Sequence, residues 1–195
     1  MNGIFTTAYA APISYYKLLL QCNTQLLELN EHFIKQTIRN RCEIATSNGK
    51  LILTVPLSQR KNNMIVKDVC VSYQNNWQRQ HIKSLETAYQ SSPFFEFFFD
   101  DLKLAYQFQP KFLTDWNYSI HQMILNWLKL KIEFVQTDSY HKVYENTIDF
   151  RKNEWSNYET LNYHQVFESK HGFISHLSIY DLIFNCGNQA LSHLK

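Results

Sequence analysis

Two short apolar segments flank a helical one at the start of the chain, and this order restricts the fold more than any other feature. Residues 3–7 read GIFTT and residues 25–30 read QLLELN, both typical of strands, while residues 12–22 read PISYYKLLLQC. Proline suits the first turn of a helix, where its missing N–H group costs nothing. Strand, helix and strand within about thirty residues predict a βαβ unit, and hence a parallel sheet with a crossover helix.

A β-hairpin is predicted in the next stretch, residues 35–57, which reads KQTIRNRCEIATSNGKLILTVPL. Asn48 and Gly49 suit the positive φ angles of a tight turn, and apolar residues lie on both sides of them. Pro56 places the end of the second strand at a sheet edge, because proline cannot donate a ladder hydrogen bond. Residues 65–73, IVKDVCVSY, alternate between apolar and polar and predict another strand.

Three amphipathic helices and one more strand are predicted in the middle of the chain. The first helix begins at Trp77 and ends before Pro93, because the residue preceding a proline disfavours the helical conformation. Residues 94–108, FFEFFFDDLKLAYQF, predict an aromatic-rich second helix. The clearest apolar stripe predicts the third helix and comprises Phe112, Trp116, Ile120, Met123 and Trp127. Residues 132–137, IEFVQT, predict the strand.

The remainder of the chain divides into an aperiodic stretch and a closing helix. Residues 137–160 gather polar side chains, so we expect a long irregular connection, a kind of segment that is often functional. The closing stretch LSIYDLIFNCGNQALSHLK predicts a helix that begins at Ser178, with Asp181 in a capping-box-like position, and ends near Gly187. We therefore predict an α/β fold in a single domain, residues 1–195. Its mixed sheet combines the N-terminal βαβ unit and the hairpin, and helices pack on it.

The composition excludes several classes of protein. The formal net charge of +2 is too close to neutral for a nucleic-acid binder. No apolar run reaches the roughly 18 residues that span a bilayer, so we expect no transmembrane segment. The N-terminus has no basic region before an apolar stretch, and the four cysteines form no C-x-x-C pair. These features predict reduced thiols and a cytoplasmic location.

The motifs of common cofactor sites are also missing from the sequence. With four glycines, the chain contains neither G-x-G-x-x-G nor a Walker pattern. His171 and His176 are separated by more than the i, i+4 spacing of a helical metal pair, and no H-E-x-x-H motif occurs. We therefore expect no metal site, and the sequence assigns no cofactor.

Two arginines at the start of the hairpin are candidates for binding an anion. If residues 39–45 form a strand, Arg39, Arg41 and Glu43 share one face, and the two arginines lie roughly 7 Å apart. That separation suits a diphosphate, or a phosphate beside a carboxylate, because each guanidinium offers a planar, bidentate fork. Lys35 could add a third positive charge. The alternative is a solvated strand face on which Glu43 offsets the positive charge.

His81 is the candidate general base. It lies on the apolar face of its predicted helix, between Trp77 and Leu85. Histidine titrates near neutral pH and can take up a proton at the wall of a pocket. The alternative is a neutral core histidine that forms a hydrogen bond with a buried partner.

A polar line also runs down the closing helix. It consists of Ser178, Asp181, Asn185 and Gln189, and apolar residues surround it on the remaining faces. A buried carboxylate is costly unless it is paired. Either Asp181 therefore meets a cation such as Arg39 or Arg41, or the polar line faces solvent.

Motifs along most of the chain resemble those of the WbqC-like family of bacterial proteins, found in gene clusters for O-antigen and other surface polysaccharides. The matching pieces include Asn40-Arg41, Asn48-Gly49, residues 53–56 (LTVP), Trp77 with His81, Ala88-Tyr89, residues 92–95 (SPFF), Tyr163 with Gln165, and LSIYDLIFNCG. The resemblance implies a role in transferring an amino acid or a similar group during polysaccharide assembly. Many members carry a His-Gln-Pro segment where this chain has Ala10-Ala11-Pro12, so His81 becomes the substitute to test.

Together these features define a predicted site. We expect His81 and Asp181 to be catalytic. The expected ligand-binding residues are Lys35, Arg39, Asn40, Arg41, Tyr89, Tyr163, Gln165 and Asn185. The predicted ligand is an anionic nucleotide-sugar or lipid-linked sugar, and the predicted function is that of a cytoplasmic transferase in surface-polysaccharide biosynthesis. The alternative is a non-catalytic assembly protein whose aromatic residues contact a protein partner or a second copy of the chain.

Overall fold

A computed structural model describes residues 1–58, 63–152, 155–158 and 162–195. In these residues the strands are β1 (Asn2–Thr6), β2 (Thr24–Glu28), β3 (Arg41–Thr46), β4 (Gly49–Thr54), β5 (Val135–Gln136) and β6 (Thr147–Asp149). The α-helices are α1 (Ile13–Gln21), α2 (Trp77–Tyr89), α3 (Phe95–Ala105), α4 (Leu113–Trp127), α5 (Glu168–His171), α6 (Ile179–Cys186) and α7 (Ala190–Leu194).

Four strands form a parallel sheet in the order β5-β2-β1-β6. Strands β1 and β2 pair in parallel with Ile4 opposite Leu26, and α1 connects them. The predicted α/β class and the N-terminal βαβ unit are therefore confirmed. Because all four strands point the same way, their carboxyl ends meet at one edge, and ligands of open α/β sheets bind at such an edge.

The hairpin of β3 and β4 is also confirmed, but it forms a separate two-stranded antiparallel sheet. It cannot extend the parallel sheet beside β1, because β2 and β6 occupy both edges of that strand. Side-chain and backbone contacts hold the hairpin instead. Ala45 donates its N–H to the Tyr89 hydroxyl, and the backbone carbonyl of Glu43 accepts from the Ser178 N–H. At the turn, Gly49 has a φ angle of +97°.

The predicted helices α2, α3, α4 and α6 are present, and their apolar faces form the core. Helix α6 is the most deeply placed, because every one of its residues is buried. Ser178 caps it by accepting a hydrogen bond from the Tyr180 N–H, as its capping position predicted. One hydrophobic cluster includes side chains from β1 through α7. None of the helices in the described part of the chain is both long and apolar enough to cross a membrane.

Two strand predictions require correction. Residues 65–73 form no strand; they contain a 3₁₀ turn, Val66–Asp68, flanked by isolated bridges. Val66 and Val69 are both fully buried, and their spacing of three matches a 3₁₀ turn rather than a strand. The strand predicted over residues 132–137 is reduced to β5. Within the described part of residues 137–160 lie β6 and a 3₁₀ turn, Trp155–Asn157.

Candidate functional site

A recess of about 600 Å³ opens at the carboxyl edge of the parallel sheet. Its walls come from the segments that follow β1, β2 and β6, from the hairpin, and from the residues just before α6. Strand β1 connects to β2 on one side, while β6 lies on its other side. Ligands of open α/β sheets bind where connections diverge in this way. The recess therefore lies where the topology favours a binding site.

The recess is strongly basic, and we call it the basic recess. Its lining includes five arginine or lysine residues and one glutamate. The basic residues are Arg39, Arg41, Lys50, Arg151 and Lys152, and the acidic one is Glu43. The volume lies within the range of small-molecule sites. A surface with this excess of positive charge favours an anionic ligand.

Three of these cations are engaged within the protein. Arg39 is buried and donates from Nη2 and Nε to Oε1 of Glu31, at 2.5 and 3.1 Å. Arg151 is also buried and pairs with Asp149 at 2.6 Å. At the surface, Lys50 pairs with Glu43 at 3.1 Å. These contacts fix the shape of the recess and reduce the charge that the three side chains present to a ligand.

Arg41 and Lys152 form no ion pair with any residue that the structure describes. The Nε atom of Arg41 is buried, and no described residue provides it with a hydrogen-bond partner. Arg41 is the first residue of β3, so its backbone is held by the pairing with Thr54. Lys152 lies on the segment after β6 and is exposed. Among the residues that the structure describes, Arg41 and Lys152 are the recess cations outside any ion pair, so they are the candidates to contact an anion there.

His176 and Cys42 contribute the titratable groups of the recess wall. His176 is half-buried, and its buried Nδ1 atom lacks a hydrogen-bond partner among the described residues. Desolvation and the nearby Lys50 charge lower its pKa, so the imidazole is neutral and able to accept a proton at neutral pH. Burial raises the pKa of the Cys42 thiol, which makes it a poor nucleophile.

The predicted base, His81, does not line the recess. It is buried in α2 beside Trp77, and its Nδ1 atom shares a hydrogen bond of 2.9 Å with the Tyr9 hydroxyl. Desolvation lowers its pKa to about 4. His81 lies on the apolar face of α2 and therefore points into the core. Its surroundings match the alternative given above, a neutral core histidine that forms a hydrogen bond with a buried partner.

Asp181 also lies outside the lining of the recess, among neutral donors. Its Oδ1 accepts from the Tyr89 hydroxyl at 2.8 Å, and its Oδ2 accepts from the Tyr163 hydroxyl at 2.6 Å and from Gln165 Nε2 at 3.0 Å. Asn185 donates to the backbone carbonyl of Asp181 at 2.8 Å. Burial raises the pKa of this carboxyl, and the three hydrogen bonds oppose the rise. Both expectations for it, a cation partner and a solvated face, are wrong.

The last two predicted ligand-binding residues have separate positions. Asn40 is buried and donates to the carbonyl of Val55 at 3.1 Å, so it ties the start of β3 to the end of β4. Lys35 is exposed on the segment after β2 and is not part of the recess lining. The expectation that Arg39, Arg41, His81 and Asp181 share one recess is therefore wrong, because only the two arginines reach it.

Sequence reasoning did not select His176, Lys152 or Trp155, which all line the recess. These residues come from segments without helical or strand periodicity. The only available signal for His176 was its place two residues before the cap of α6. Trp155 and Lys152 follow the short strand β6, which the sequence pattern did not reveal.

Comparisons with known proteins give one match. The model of the WbqC-like protein family matches residues 7–153, a range that includes Arg39, Arg41 and Lys152 but ends before His176. Tyr163, Gln165 and the closing LSIYDLIFNCG motif lie beyond the matched range. No match is found among curated proteins or among solved structures. The match covers most of the sequence, and the chain belongs to the WbqC-like protein family.

Proposed function

We propose that the basic recess binds the phosphoryl groups of a nucleotide-linked or lipid-linked sugar, and that the protein is a cytoplasmic transferase of surface-polysaccharide biosynthesis. The observation that carries this proposal is the pair Arg41 and Lys152, two cations without an ion pair among the described residues, at the carboxyl edge of the sheet. Phosphoryl oxygens are the ligands that guanidinium and ammonium groups bind best.

The indole of Trp155 in the wall of the recess favours a nucleotide-linked sugar over a lipid-linked one. Trp155 lines the recess, and its ring lies 5.2 Å from that of Tyr15. An indole face beside cations suits the stacking of a nucleobase whose phosphates bind those cations. The phosphates of the nucleotide-linked sugar would then lie between Trp155 and Arg41.

The transfer step is supported by the family resemblance, and the position of His176 supplies the proton acceptor. In this step an amino or hydroxyl group of the sugar attacks the carbonyl carbon of an acyl thioester. A carbon–nitrogen or carbon–oxygen bond forms as the carbon–sulfur bond breaks. The proton of the attacking group passes to the imidazole of His176 and then to the leaving thiolate.

Calorimetric titration with uridine diphosphate tests the binding part of the proposal. We expect Arg41→Ala and Lys152→Ala each to weaken binding about tenfold or more, because each removes a charge-assisted contact. The matched controls are Arg79→Ala and Lys83→Ala, which change exposed cations of α2. Equal affinity in all five proteins, or no binding by the wild type, would rule out the proposal.

The alternative function, a non-catalytic assembly protein, is favoured by one observation. Phe97 and Leu104 are 79% and 67% exposed, and their spacing of seven places them on one face of α3. Exposed apolar side chains on one helix face are typical of a protein interface. Under this alternative, Phe97→Ser with Leu104→Ser would abolish association in sedimentation velocity, and the Arg41→Ala variant would behave as the wild type.

A further inference from the structure

A second cavity, of about 570 Å³, lies at the same edge of the sheet as the basic recess. The segment after β1 separates the two, because Ala10 and Pro12 line the basic recess while Ala8 and Ala11 line the second cavity. The opposite wall of the second cavity is α4. Two binding volumes therefore lie on opposite sides of one segment.

The second cavity has the opposite electrostatic character to the basic recess. Asp115 and Glu133 line it, and its single basic residue, Lys67, donates to Oδ1 of Asn30 at 2.8 Å. Its remaining lining is rich in aromatic rings: Tyr15, Tyr16, Phe112, Tyr118 and Phe134. An anion is disfavoured beside two carboxylates, whereas hydroxyl groups can donate to them.

Two buried side chains of this cavity have unused hydrogen-bonding capacity. Asn117 is 1% exposed; its Nδ2 donates to Thr7 Oγ1 and to the carbonyl of Arg39, but no described residue donates to its Oδ1. His121 is 7% exposed and shares a hydrogen bond of 3.2 Å between Nδ1 and the Tyr16 hydroxyl, while its Nε2 has no partner among described residues.

These two groups complement each other chemically. Desolvation lowers the pKa of His121 to about 4, so its ring is neutral at neutral pH. When the Tyr16 hydroxyl donates to Nδ1, Nε2 carries the proton and is a donor; in the other tautomer Nε2 is an acceptor. The carbonyl oxygen of Asn117 is an acceptor. Buried polar groups without partners are costly, and a ligand hydroxyl, which both donates and accepts, satisfies either kind.

We propose that the second cavity binds an uncharged, hydroxyl-rich sugar ring, held by hydrogen bonds to Asn117, His121 and the two rim carboxylates and by contact with Tyr118. This inference rests on the proposed function and adds to it a second saccharide, beside the nucleotide-linked sugar of the basic recess. The arrangement resembles small-molecule sites in general, where aromatic walls surround a few placed polar groups.

Saturation-transfer NMR with methyl glycosides of glucose, galactose and N-acetylglucosamine tests the inference. We expect at least one glycoside to bind the wild type at millimolar concentrations. Tyr118 is 57% exposed, so Tyr118→Ala leaves the core intact and weakens binding about three- to tenfold through the lost aromatic contact. Phe97→Ala, which removes another exposed aromatic ring from a helix, is the matched control and binds as the wild type.

A second pair of variants examines the carboxylates. Glu133→Gln weakens binding of the glycoside, whereas Glu86→Gln, an exposed position of α2, does not. Absence of glycoside binding overturns the inference. Binding by Tyr118→Ala and Glu133→Gln with the affinity of the wild type also overturns it. Binding of ethanolamine, a small cation with one hydroxyl group, without binding of any glycoside also overturns it, because the two carboxylates would then select a cation. Because uridine diphosphate is titrated separately against Arg41→Ala, failure of the second cavity and failure of the basic recess give different results.

Discussion

Arg39 and Arg41 are two positions apart in sequence, yet their surroundings differ. Arg39 is 2% exposed, and its guanidinium donates to Glu31, to Thr37 and to the carbonyl of Arg151. Oε1 of Glu31 also accepts from the Thr6 hydroxyl at 2.6 Å, which ties the end of β1 to the segment after β2. Arg41 has none of these contacts. At this scale, Arg39 holds the wall of the recess in place, and Arg41 lines the recess without such contacts.

Replacement of the two arginines should therefore separate stability from binding. We expect Arg39→Ala to lower the free energy of unfolding by about 3–5 kcal/mol, because it leaves the Glu31 charge buried without its partner. Arg41→Ala should change the free energy of unfolding by less than about 1 kcal/mol. Urea unfolding at neutral pH measures both. Equal losses of stability would contradict the separate purposes assigned to these residues.

At the scale of elements, the junction between α6 and α7 depends on a close approach. Gly187 ends α6 with a φ angle of +53°, and a Cβ atom at this position would lie 2.5 Å from the ring of Phe94. Phe94 also donates its N–H to the carbonyl of Phe184. The start of α3 is thus fastened against the end of α6, and the glycine provides the space for the ring.

A pair of glycine replacements tests this junction. Gly172 has a similar φ angle, +68°, but a Cβ atom there meets nothing within 4 Å. We expect Gly172→Ala to cost roughly 1–3 kcal/mol from backbone strain alone, because a φ angle of 68° with a ψ angle of −172° is accessible essentially only to glycine. Gly187→Ala should cost more, by at least another ~1 kcal/mol from overpacking. Thermal or urea unfolding gives both values. The same loss of stability for the two variants would show that the Phe94 ring moves aside without lowering the free energy of unfolding.

The elements differ in how well the sequence predicted them, for physical reasons. Helices such as α2 and α4 bury one face along several turns, so their apolar spacing is visible in sequence. Strand β6 has three residues, two of them exposed, and it is defined by backbone pairing with β1, which leaves no pattern in side chains. Val69, Val71 and Tyr73 are spaced by two and therefore predict a strand, whereas the fully buried pair Val66 and Val69 is spaced by three and forms a 3₁₀ turn.

At the scale of the whole molecule, two of the ten predicted site residues, Arg39 and Arg41, line the basic recess. The arginine pair stands out in the sequence because only 18% of the residues are charged. His81 and Asp181 were wrongly expected beside it, because sequence reveals the face on which a side chain lies but not its distance from another element. Both reach the interior instead, where His81 meets Tyr9 and Asp181 meets three donors.

The buried histidines predict how stability depends on pH. His81 and His121 have pKa values of about 4 in the folded protein, below the ordinary value of 6.5. The unfolded chain therefore binds more protons between about pH 6.5 and pH 4, and the free energy of unfolding falls as the pH is lowered through this window. Each histidine contributes a loss of roughly 3 kcal/mol by pH 4.

Urea unfolding between pH 7 and pH 4.5 measures this dependence, because histidines of the unfolded chain become protonated over this interval. His81→Gln retains a group that can accept from Tyr9 and cannot titrate, so we expect a shallower decline of stability with falling pH. His32→Gln, at an exposed position, is the control and should keep the slope of the wild type. A slope unchanged by His81→Gln would show that His81 is solvated or protonated in the folded state.

The pairing of β1 with β6 has a consequence for how the chain assembles. Asn2 pairs with Thr147, so β1 meets its second neighbour only after synthesis has proceeded as far as β6. Until then one edge of β1 presents free N–H and C=O groups to other chains. Contacts so distant in sequence slow the search for the native topology. During translation, this free edge of β1 is thus open to aggregation, and a chaperone that covers it should raise the yield of folded protein.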